Sequence, residues 1–459
     1  MMRGRLQTIR PLLYFMCSVF LVVGAAVLTY GLAGREKVGF TLRKAAYSAK
    51  FTPDSRHIVT GGFDETSLLD IEAHKLVDRF PRDDDALPKG VEAGEFKTFA
   101  VSADGKYVAS GGGLWRPVRV LDFRTGRVLR SFDTNRTDVL ALALSPDGRW
   151  LAAGTAYRLH APHGRLYGLD LIYEAVYEIW LWDLSQGGNE PIRILGHEAP
   201  VDAIAFLPDG RRMISLSDVS ILRLWDITTR HELKRSGTWE PPAGMRATES
   251  GSRFEARDSR ARGLVGNALN DRWSMTLSSD GKHVVCGRTV WGTEDLKIEC
   301  FADGQRLSRD FDEWQRINLK QPYSSDDKQR KMLHWFAYGY RGALTPDNRR
   351  LVIAGPFGLH QTFSEGLLTP RGKELLAMKT PNGQQVLTGS ESQFSVFDVK
   401  TGDLLFSDQV FSNGASVFAL DVSPDGRYAL AAGSGGTAGS GGAPVRRDPC
   451  QLYLYRLPP

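Results

Sequence analysis

A turn phrase that recurs along the chain constrains the fold more than any other feature of the sequence. In "ALALSPDGRWLAAG" (Ala141–Gly154), two short apolar runs flank Ser-Pro-Asp-Gly. Pro146 presets φ near about −65°, Asp147 can hydrogen-bond nearby backbone groups, and Gly148 tolerates positive φ. Each run is too short for an independent helix and suits a half-buried strand. The phrase therefore predicts a β-hairpin closed by a tight turn.

Variants of this phrase recur and predict a repeat architecture. The residues that mark the turns are Asp54, Asp104, Asp147, Asp209, Asp280, Asp347, Asn382 and Asp425. A unit of roughly 40–45 residues is the period of a four-stranded propeller blade, and longer spacings fit that unit plus inserted loops. We therefore expect an all-β propeller of eight four-stranded blades. The alternative is seven blades, with the closely spaced Asp347 and Asn382 units merged into one.

A second phrase follows several of the hairpins and carries a family resemblance. Trp182-Asp183 lies in "IWLWDL", and Trp225-Asp226 lies in "LRLWDITTRHELKR". The unit that contains Trp225-Asp226 begins with the pair Gly196-His197. From about Val38 to Leu457 the chain resembles WD40-repeat proteins of a degenerate, bacterial type. The resemblance implies a propeller that acts as a protein-interaction scaffold. It also implies that His197, Trp182, Asp183, Trp225 and Asp226 build the blades.

The sequence departs from the family pattern at several positions. The family often buries a hydrogen-bonded set of His, Ser or Thr, Asp and Trp within a blade, and the unit of His197 and Trp225 keeps most of it. Val219 stands where the Asp is expected, with Asp218 one residue earlier. Other units carry an apolar residue where Trp would stand, namely Leu69, Leu121 or Phe397. We therefore expect most blades to depend on apolar packing.

The two ends of the repeat region predict how the ring closes. The chain ends in "QLYLYRLPP", which suits a third strand, while "KVGFTL" (Lys37–Leu42) precedes the first unit without a blade of its own. We expect Lys37–Leu42 to supply the fourth strand of the last blade, because this pairing removes an exposed sheet edge. Residues 37–459 are then the propeller domain.

The N-terminus has a different composition. Residues 1–10 form a short basic tail, and residues 11–34 ("PLLYFMCSVFLVVGAAVLTYGLAG") carry no charge. At about 1.5 Å per residue, a helix of this length crosses a hydrocarbon core of about 30 Å. We expect a single transmembrane helix acting as a signal anchor. The alternative is a cleaved signal peptide, since Gly31-Leu32-Ala33 is a small-x-small site, and the propeller would then be secreted.

Basic residues flank this segment on both sides, so the positive-inside rule alone does not fix its orientation. Arg3, Arg5 and Arg10 precede it, and further Lys and Arg residues follow soon after it. A short basic tail that stays in the cytoplasm favours an extracytoplasmic propeller. A propeller that faces the cytoplasm is the alternative.

Charge and motifs argue against several functions. A net charge of +5 over 459 residues, without a basic stripe interleaved with aromatics, does not suggest nucleic-acid binding. Catalytic motifs such as G-x-S-x-G and H-E-x-x-H are absent from the sequence, and His160 and His163 lack a third metal ligand. We expect no enzyme activity, metal, cofactor or small-molecule substrate. The alternative is a propeller enzyme resembling lactonases or quinone-dependent dehydrogenases; the D-x-x-T-G phrases at Asp122–Gly126 and Asp398–Gly402 resemble the latter but lack its following Trp.

Long insertions between strands indicate where a protein partner would bind. With the strands of a blade named a to d from the channel outward, the insertions fall in b–c or d–a connections, which open on the same face. They span residues 155–177, 236–272, 312–342 and 433–449. Aromatic and Arg side chains are common interface anchors, so we expect binding by a set drawn from two of these insertions. This set is Tyr157, His160, Arg165, Tyr167, Trp314, Trp335 and Tyr338.

The cysteines leave two possibilities open. Cys286 and Cys300 are predicted to fall on adjacent strands of one blade. They could form a disulfide if the propeller is extracytoplasmic, or they could be two small buried residues.

Overall fold

The strands that flank the repeated turns form seven β-sheets arranged in a closed ring. The computed structural model of the protein describes residues 37–42, 46–62, 65–80, 98–112, 117–160, 171–217, 221–236, 253–256, 274–302, 306–310, 313, 340–356, 392–411, 417–433 and 450–458. Within these residues, the innermost strand of each sheet contacts the innermost strands of the two neighbouring sheets. This arrangement is a seven-bladed β-propeller.

The strands are numbered in chain order. The first strand is β1 (Lys37–Leu42). Blade 1 consists of β2 (Ala46–Phe51), β3 (His57–Gly62), β4 (Glu65–Asp70) and β5 (Lys75–Phe80). Blade 2 consists of β6 (Thr98–Val101), β7 (Tyr107–Gly111), β8 (Val118–Asp122) and β9 (Val128–Phe132). Blade 3 consists of β10 (Thr137–Leu144), β11 (Trp150–His160), β12 (Leu171–Ala175), β13 (Ile179–Asp183) and β14 (Ile192–Ile194).

The remaining blades follow the same order. Blade 4 consists of β15 (Val201–Phe206), β16 (Arg212–Ser217), β17 (Ile221–Asp226) and β18 (Glu232–Arg235), and it is followed by β19 (Arg253–Ala256). Blade 5 consists of β20 (Met275–Leu277), β21 (His283–Cys286), β22 (Thr289–Gly292), β23 (Ile298–Ala302) and β24 (Leu307–Ser308). Blade 6 consists of β25 (Arg341–Leu344), β26 (Arg350–Pro356), β27 (Ser392–Asp398) and β28 (Leu404–Phe411). Blade 7 consists of β29 (Val417–Val422), β30 (Tyr428–Gly433) and β31 (Cys450–Arg456), together with β1.

The recurring turn is held by its own side chains. In blade 3, Ser145 Oγ donates to Asp147 Oδ1 at 2.5 Å and accepts a bond from the Trp150 backbone N–H at 2.8 Å. The same Asp147 oxygen accepts the backbone N–H of Arg149 at 3.1 Å, and Gly148 has a φ of 70°. The bond from Ser145 lowers the pKa of Asp147. This chemistry fixes the a–b turn and hence the register of the two strands.

Adjacent blades pack through apolar faces. Phe132 of blade 2 stacks on Trp182 of blade 3 with 4.8 Å between ring centroids, and Phe394 of blade 6 stacks on Tyr455 of blade 7 at 4.0 Å. Small buried residues such as Ala152 and Ala153 in β11 allow neighbouring sheets to approach closely. The core is therefore a ring of interfaces between blades.

The ring closes as the sequence predicts. Strand β1 pairs antiparallel with β31 over six positions, from Lys37 opposite Tyr455 to Leu42 opposite Cys450. On the channel side, the Phe51 backbone N–H donates to Asp421 Oδ2 at 2.9 Å and links blades 1 and 7. Burial raises the pKa of Asp421, and nearby Lys50 partly offsets this effect.

The prediction of eight blades is wrong, and the seven-blade alternative is confirmed. Strands β26 and β27 pair directly with each other, from Arg350 opposite Asp398 to Pro356 opposite Ser392. The turn phrase at Asn382 lies between them in sequence, so it belongs to the b–c connection of blade 6; the phrase itself lies outside the described residues. A turn sequence alone does not determine which strands pair.

The predicted transmembrane helix, residues 11–34, lies outside the described residues. Among the residues that are described, no helix is long and apolar enough to cross a bilayer.

Cys286 and Cys300 are buried free thiols. They lie on β21 and β23, which are separated by β22, so their predicted placement on adjacent strands is wrong.

Candidate functional site

The two faces of the disc differ in their connections. We call the side of the a–b and c–d turns the turn face, and the side of the b–c and d–a connections the insertion face. The four predicted insertions connect β11 to β13, β18 to β20, β24 to β25, and β30 to β31. The first, second and fourth are b–c or d–a connections, so the strands that flank them end on one face, as predicted. The third follows β24, a fifth strand that runs antiparallel to β23 and back towards the turn face, so its predicted start as a d–a connection is wrong.

Two of the insertions meet in one sheet. Strand β11 pairs with β13 only from Trp150 to Gly154, then continues and pairs with β12 from Tyr157 opposite Ala175 to His160 opposite Ile172. The free edge of β12 pairs with β19, from Leu171 opposite Ala256 to Glu174 opposite Arg253. We call residues 157–160, 171–175 and 253–256 the extension sheet. It joins the b–c insertion of blade 3 to the d–a insertion that follows blade 4.

Buried polar contacts hold the base of the extension sheet. The backbone N–H of Thr155 donates to the Glu178 carbonyl at 3.1 Å, and its hydroxyl bonds the carbonyls of Val176 and Glu178. Arg158 Nε donates to Thr137 Oγ1 on the innermost strand at 3.1 Å, and Arg158 also pairs with Glu174 at 3.4 Å. The extension sheet therefore has a fixed base on blade 3.

A buried carboxylate stands where this insertion rejoins the blade. Glu178 is 1% exposed and accepts a hydrogen bond from Trp180 Nε1 at 2.9 Å. Arg193 on β14 forms a two-point ion pair with it, in which Nε lies 2.6 Å from Glu178 Oε2. The bond to Glu178 raises the pKa of Arg193. Loss of Arg193 would leave the buried Glu178 carboxylate without its ion pair, so this contact holds the chain at the start of β13.

Blade 4 contains the hydrogen-bonded set that the family resemblance implies. His197 is buried, and its Nε2 lies 3.1 Å from Ser215 Oγ. Trp225 Nε1 donates to the same oxygen at 2.8 Å. Burial and the positive charges of Arg223 and Arg235 hold the pKa of His197 well below its usual value, so this imidazole is neutral at pH 7. Asp218 and Val219, the two positions considered for the fourth member, lie outside the described residues.

An ion-pair cluster lies beside this set. Arg223 is fully buried and pairs with Glu232 at 2.5 Å and with Glu198. Arg235 also reaches both carboxylates, with Nη1 lying 3.5 Å from Glu198 Oε1. Glu198 lies on the d–a connection between blades 3 and 4, so the cluster ties the insertion face to β17 and β18. Neither Glu178 nor Arg223 was predicted from the sequence, where each is only a charged residue within or just before an apolar strand.

The other residues of the WD40 phrases build the outer part of the blades. Trp182 is buried, and its Nε1 donates to the Asn189 carbonyl at 2.9 Å. Asp183 pairs with Arg149 at 2.8 Å, and the bonds from Arg149 and Ser185 lower its pKa to about 2. Asp226 accepts the backbone N–H of Thr229 at 2.7 Å in the c–d turn of blade 4.

Most of the predicted binding residues remain predictions. Tyr157 is half-buried at the base of the extension sheet, where its ring meets Tyr177 edge-on with 5.6 Å between centroids. His160 ends β11, and its side chain is outside the described part. Five others also fall on residues that the structure does not describe: Arg165, Tyr167, Trp314, Trp335 and Tyr338. The described ranges contain no group of three or more His, Cys, Asp or Glu side chains placed to hold a metal ion.

Comparison with known proteins identifies WD40 repeats in this chain. The family described as WD domain, G-beta repeat matches residues 126–157 and 189–226. WD repeat-containing protein 90 of Mus musculus is 32% identical over 149 residues, which are 32% of this chain and 7% of the relative. WD repeat-containing protein SL1-17 of Schistosoma mansoni is 24% identical over 143 residues, which are 26% of this chain and 47% of the relative. The matched region spans less than half the length of either relative.

A solved structure supports the architecture. That of U3-55K superposes with a TM-score of 0.51 over 92% of this chain and 98% of the other, at 14% identity, so the likeness concerns the fold alone. The fold and the matched repeats together define the class, a seven-bladed β-propeller that contains WD40 repeats. Proteins with such repeats are generally non-catalytic scaffolds that bind other proteins.

Proposed function

We propose that this chain is a membrane-tethered propeller that acts as a non-catalytic scaffold and binds a protein partner through its insertion face. The observation that carries the proposal is the extension sheet, which draws two insertions from separate parts of the chain into one structure. Binding loops on a rigid scaffold are a common way to build a recognition surface. The WD40 repeats support the same role.

The fixed base of the extension sheet favours a role in binding a partner over a role as a surface loop without function. Arg158, Thr137 and Thr155 attach the extension sheet to the innermost and second strands of blade 3. Glu178 and Arg193 fix the point where the chain returns to the blade. A surface held in this way costs less conformational entropy when a partner binds than a mobile loop would.

The membrane tether is part of the proposal and rests on the sequence. The uncharged residues 11–34 are long enough to span a bilayer and follow a tail that contains Arg3, Arg5 and Arg10. We propose that residues 11–34 anchor the chain, with the N-terminus cytoplasmic and the propeller extracytoplasmic. Protease protection in sealed vesicles whose cytoplasmic side faces inward tests this orientation, because a cytoplasmic propeller is cleaved only after the vesicles are opened, whereas an extracytoplasmic one is cleaved directly.

A loop-shortening experiment tests the binding role. Replacing His160–Ile172 with an Asn-Gly turn removes the tip of the extension sheet but keeps Leu159 opposite Tyr173 and the pairing of Trp150–Gly154 with β13. Shortening residues 434–449, the b–c insertion of blade 7, is the matched control. Proximity labelling in the native cell first identifies the partner, and capture and melting temperature are then measured for both variants.

The expected result is loss of capture with the first variant alone, at an unchanged melting temperature. Capture that survives the first shortening would contradict binding through the extension sheet. Loss of capture together with a lowered melting temperature would show that the extension sheet stabilises the blade, and would remove the support it gives to the scaffold role.

A further inference from the structure

The position of β1 determines where the chain enters the propeller. Strand β1 is the outermost strand of blade 7, and its first residue, Lys37, lies opposite Tyr455. Tyr455 lies in turn opposite Ala429, and the Leu457 backbone N–H donates to the Arg427 carbonyl in the a–b turn of this blade at 2.9 Å. Lys37 is therefore at the turn-face end of blade 7, whereas Leu42 is at the insertion-face end.

The point of entry is held firmly. Lys37 Nζ lies 3.0 Å from Asp408 Oδ2 and 2.7 Å from the Gln409 carbonyl oxygen, both on β28 of the neighbouring blade. The same ammonium group lies 4.2 Å from the centroid of the Tyr453 ring. The first residue of the strand is thus fixed to blades 6 and 7, and movement at this point would break several contacts.

The distance to the proposed anchor is short. Only Arg35 and Glu36 separate Gly34 from Lys37, and at about 3.3 Å per extended residue this linker reaches about 10 Å. Strand β1 itself rises about 17 Å from Lys37 to Leu42 at about 3.3 Å per residue. The linker is therefore too short to pass along the rim and bring the insertion face to the bilayer.

Exposed side chains are distributed unequally between the two faces. Among the described residues, five of the six exposed large apolar side chains lie within the first three positions of an outermost strand, at its turn-face end; they are Val77, Val128, Leu129, Leu233 and Leu405. Each a–b turn also presents an exposed cation beside an exposed Asp of the same turn; the cations are Arg56, Lys106, Arg149, Arg211, Lys282, Arg349 and Arg427. Because an exposed Asp accompanies each cation, these turns carry no excess positive charge, and the exposed aliphatic groups are the feature of this face that suits the interfacial region of a bilayer.

We infer that the turn face lies against the lipid headgroups and that the insertion face points away from the membrane. This inference rests on the proposed tether and adds the direction in which the propeller is held. It follows that the partner reaches the extension sheet from the aqueous phase. A partner embedded in the same membrane would meet the rim or the turn face instead.

Three single-cysteine probes in the full-length chain test this orientation. Lys400→Cys lies in the c–d turn of blade 6 near the point of entry, and Lys400 is exposed. Gly187→Cys and Leu195→Cys form a matched pair on blade 3: Gly187 lies in the c–d connection, with open space around an added Cβ, and Leu195 is 59% exposed on the insertion face. Cys17 and Cys450 are replaced by Ser, while Cys286 and Cys300 stay because they are buried.

Each variant is labelled with a small fluorophore and reconstituted into vesicles that contain a headgroup-attached nitroxide, a short-range quencher. Melting temperatures verify that all three variants fold. We expect several-fold stronger quenching at Lys400→Cys and Gly187→Cys than at Leu195→Cys. Quenching at Leu195→Cys that equals or exceeds that at Gly187→Cys overturns the orientation.

Extraction with alkaline carbonate separates the inference from the proposal on which it depends. If the chain stays in the vesicles but the quenching order is reversed, only the orientation is wrong. If carbonate releases the chain, the tether is wrong and the orientation fails with it.

Discussion

The closing strand offers the sharpest test of how this propeller is held together, and Phe40→Ala is the variant that probes it. Phe40 lies in the middle of β1, opposite Leu452 of β31, and is 7% exposed. Its side chain belongs to a cluster that includes Leu430 and Leu454, at the boundary between blades 7 and 1. Truncation therefore removes a buried aromatic side chain at the boundary where non-covalent strand pairing closes the propeller.

The expected loss follows from this burial. Replacing a buried Phe by Ala typically costs about 3–5 kcal/mol, from lost transfer free energy plus the cavity that remains. Folded proteins are stable by only about 5–15 kcal/mol, so Phe40→Ala should remove a large part of the margin. Lys37→Ala is the control on the same strand. Its ion pair with Asp408 and its bond to the Gln409 carbonyl are partly exposed, so their loss should cost clearly less than the loss of the Phe40 ring.

Urea denaturation followed by tryptophan fluorescence measures both variants, with the full-length protein in detergent. Limited proteolysis adds a local readout, since opening of the closure should expose the chain near β1 before the rest unfolds. A loss below about 1 kcal/mol for Phe40→Ala would refute the reasoning, because it would mean that this closure contributes little to stability.

Three further predictions concern the interior. Ser215→Ala leaves the buried His197 Nε2 and Trp225 Nε1 without their shared partner, so urea denaturation should show a loss of about 1–3 kcal/mol. Because the pKa of His197 is lower in the folded than in the unfolded chain, stability should fall as the pH drops below about 6.5, and His197→Gln should flatten this dependence in denaturation midpoints measured from pH 8 to 5. Gly342→Ala places a Cβ against a backbone carbonyl oxygen of blade 5 and should cost about 1–3 kcal/mol in thermal or urea unfolding, whereas Gly187→Ala, with open space around its Cβ, should leave stability nearly unchanged.

The sequence predicted the features that depend on local chemistry. The turn phrase around Asp147 marks an a–b hairpin because Ser, Pro, Asp and Gly each favour that geometry. The pairing of Lys37–Leu42 with β31 was predictable because both segments would otherwise present an unpaired edge. These inferences need only strand patterns and the rule that edges are covered.

Features that depend on distant pairing were not predictable in the same way. The phrase at Asn382 has the turn composition of the others, yet β26 and β27 pair across its connection. The pairing of β12 with β19 joins two separate insertions, and no sequence pattern in either segment indicates that it pairs with the other. The burial of the charged side chains of Glu178 and Arg223 was not predicted either, because it depends on partners that the fold brings to them.

The pairing of β1 with β31 also sets the order in which the molecule can be made. The first strand of the propeller leaves the ribosome early, but its partner Cys450–Arg456 is synthesised about 400 residues later. At roughly 5–20 residues per second, the interval is on the order of 20–80 s. During this time blades 1 to 6 can form while β1 stays unpaired, held beside the membrane if the tether is present. A nascent chain of this design therefore carries an open strand edge throughout its synthesis and depends on the translation of its last strand to close it.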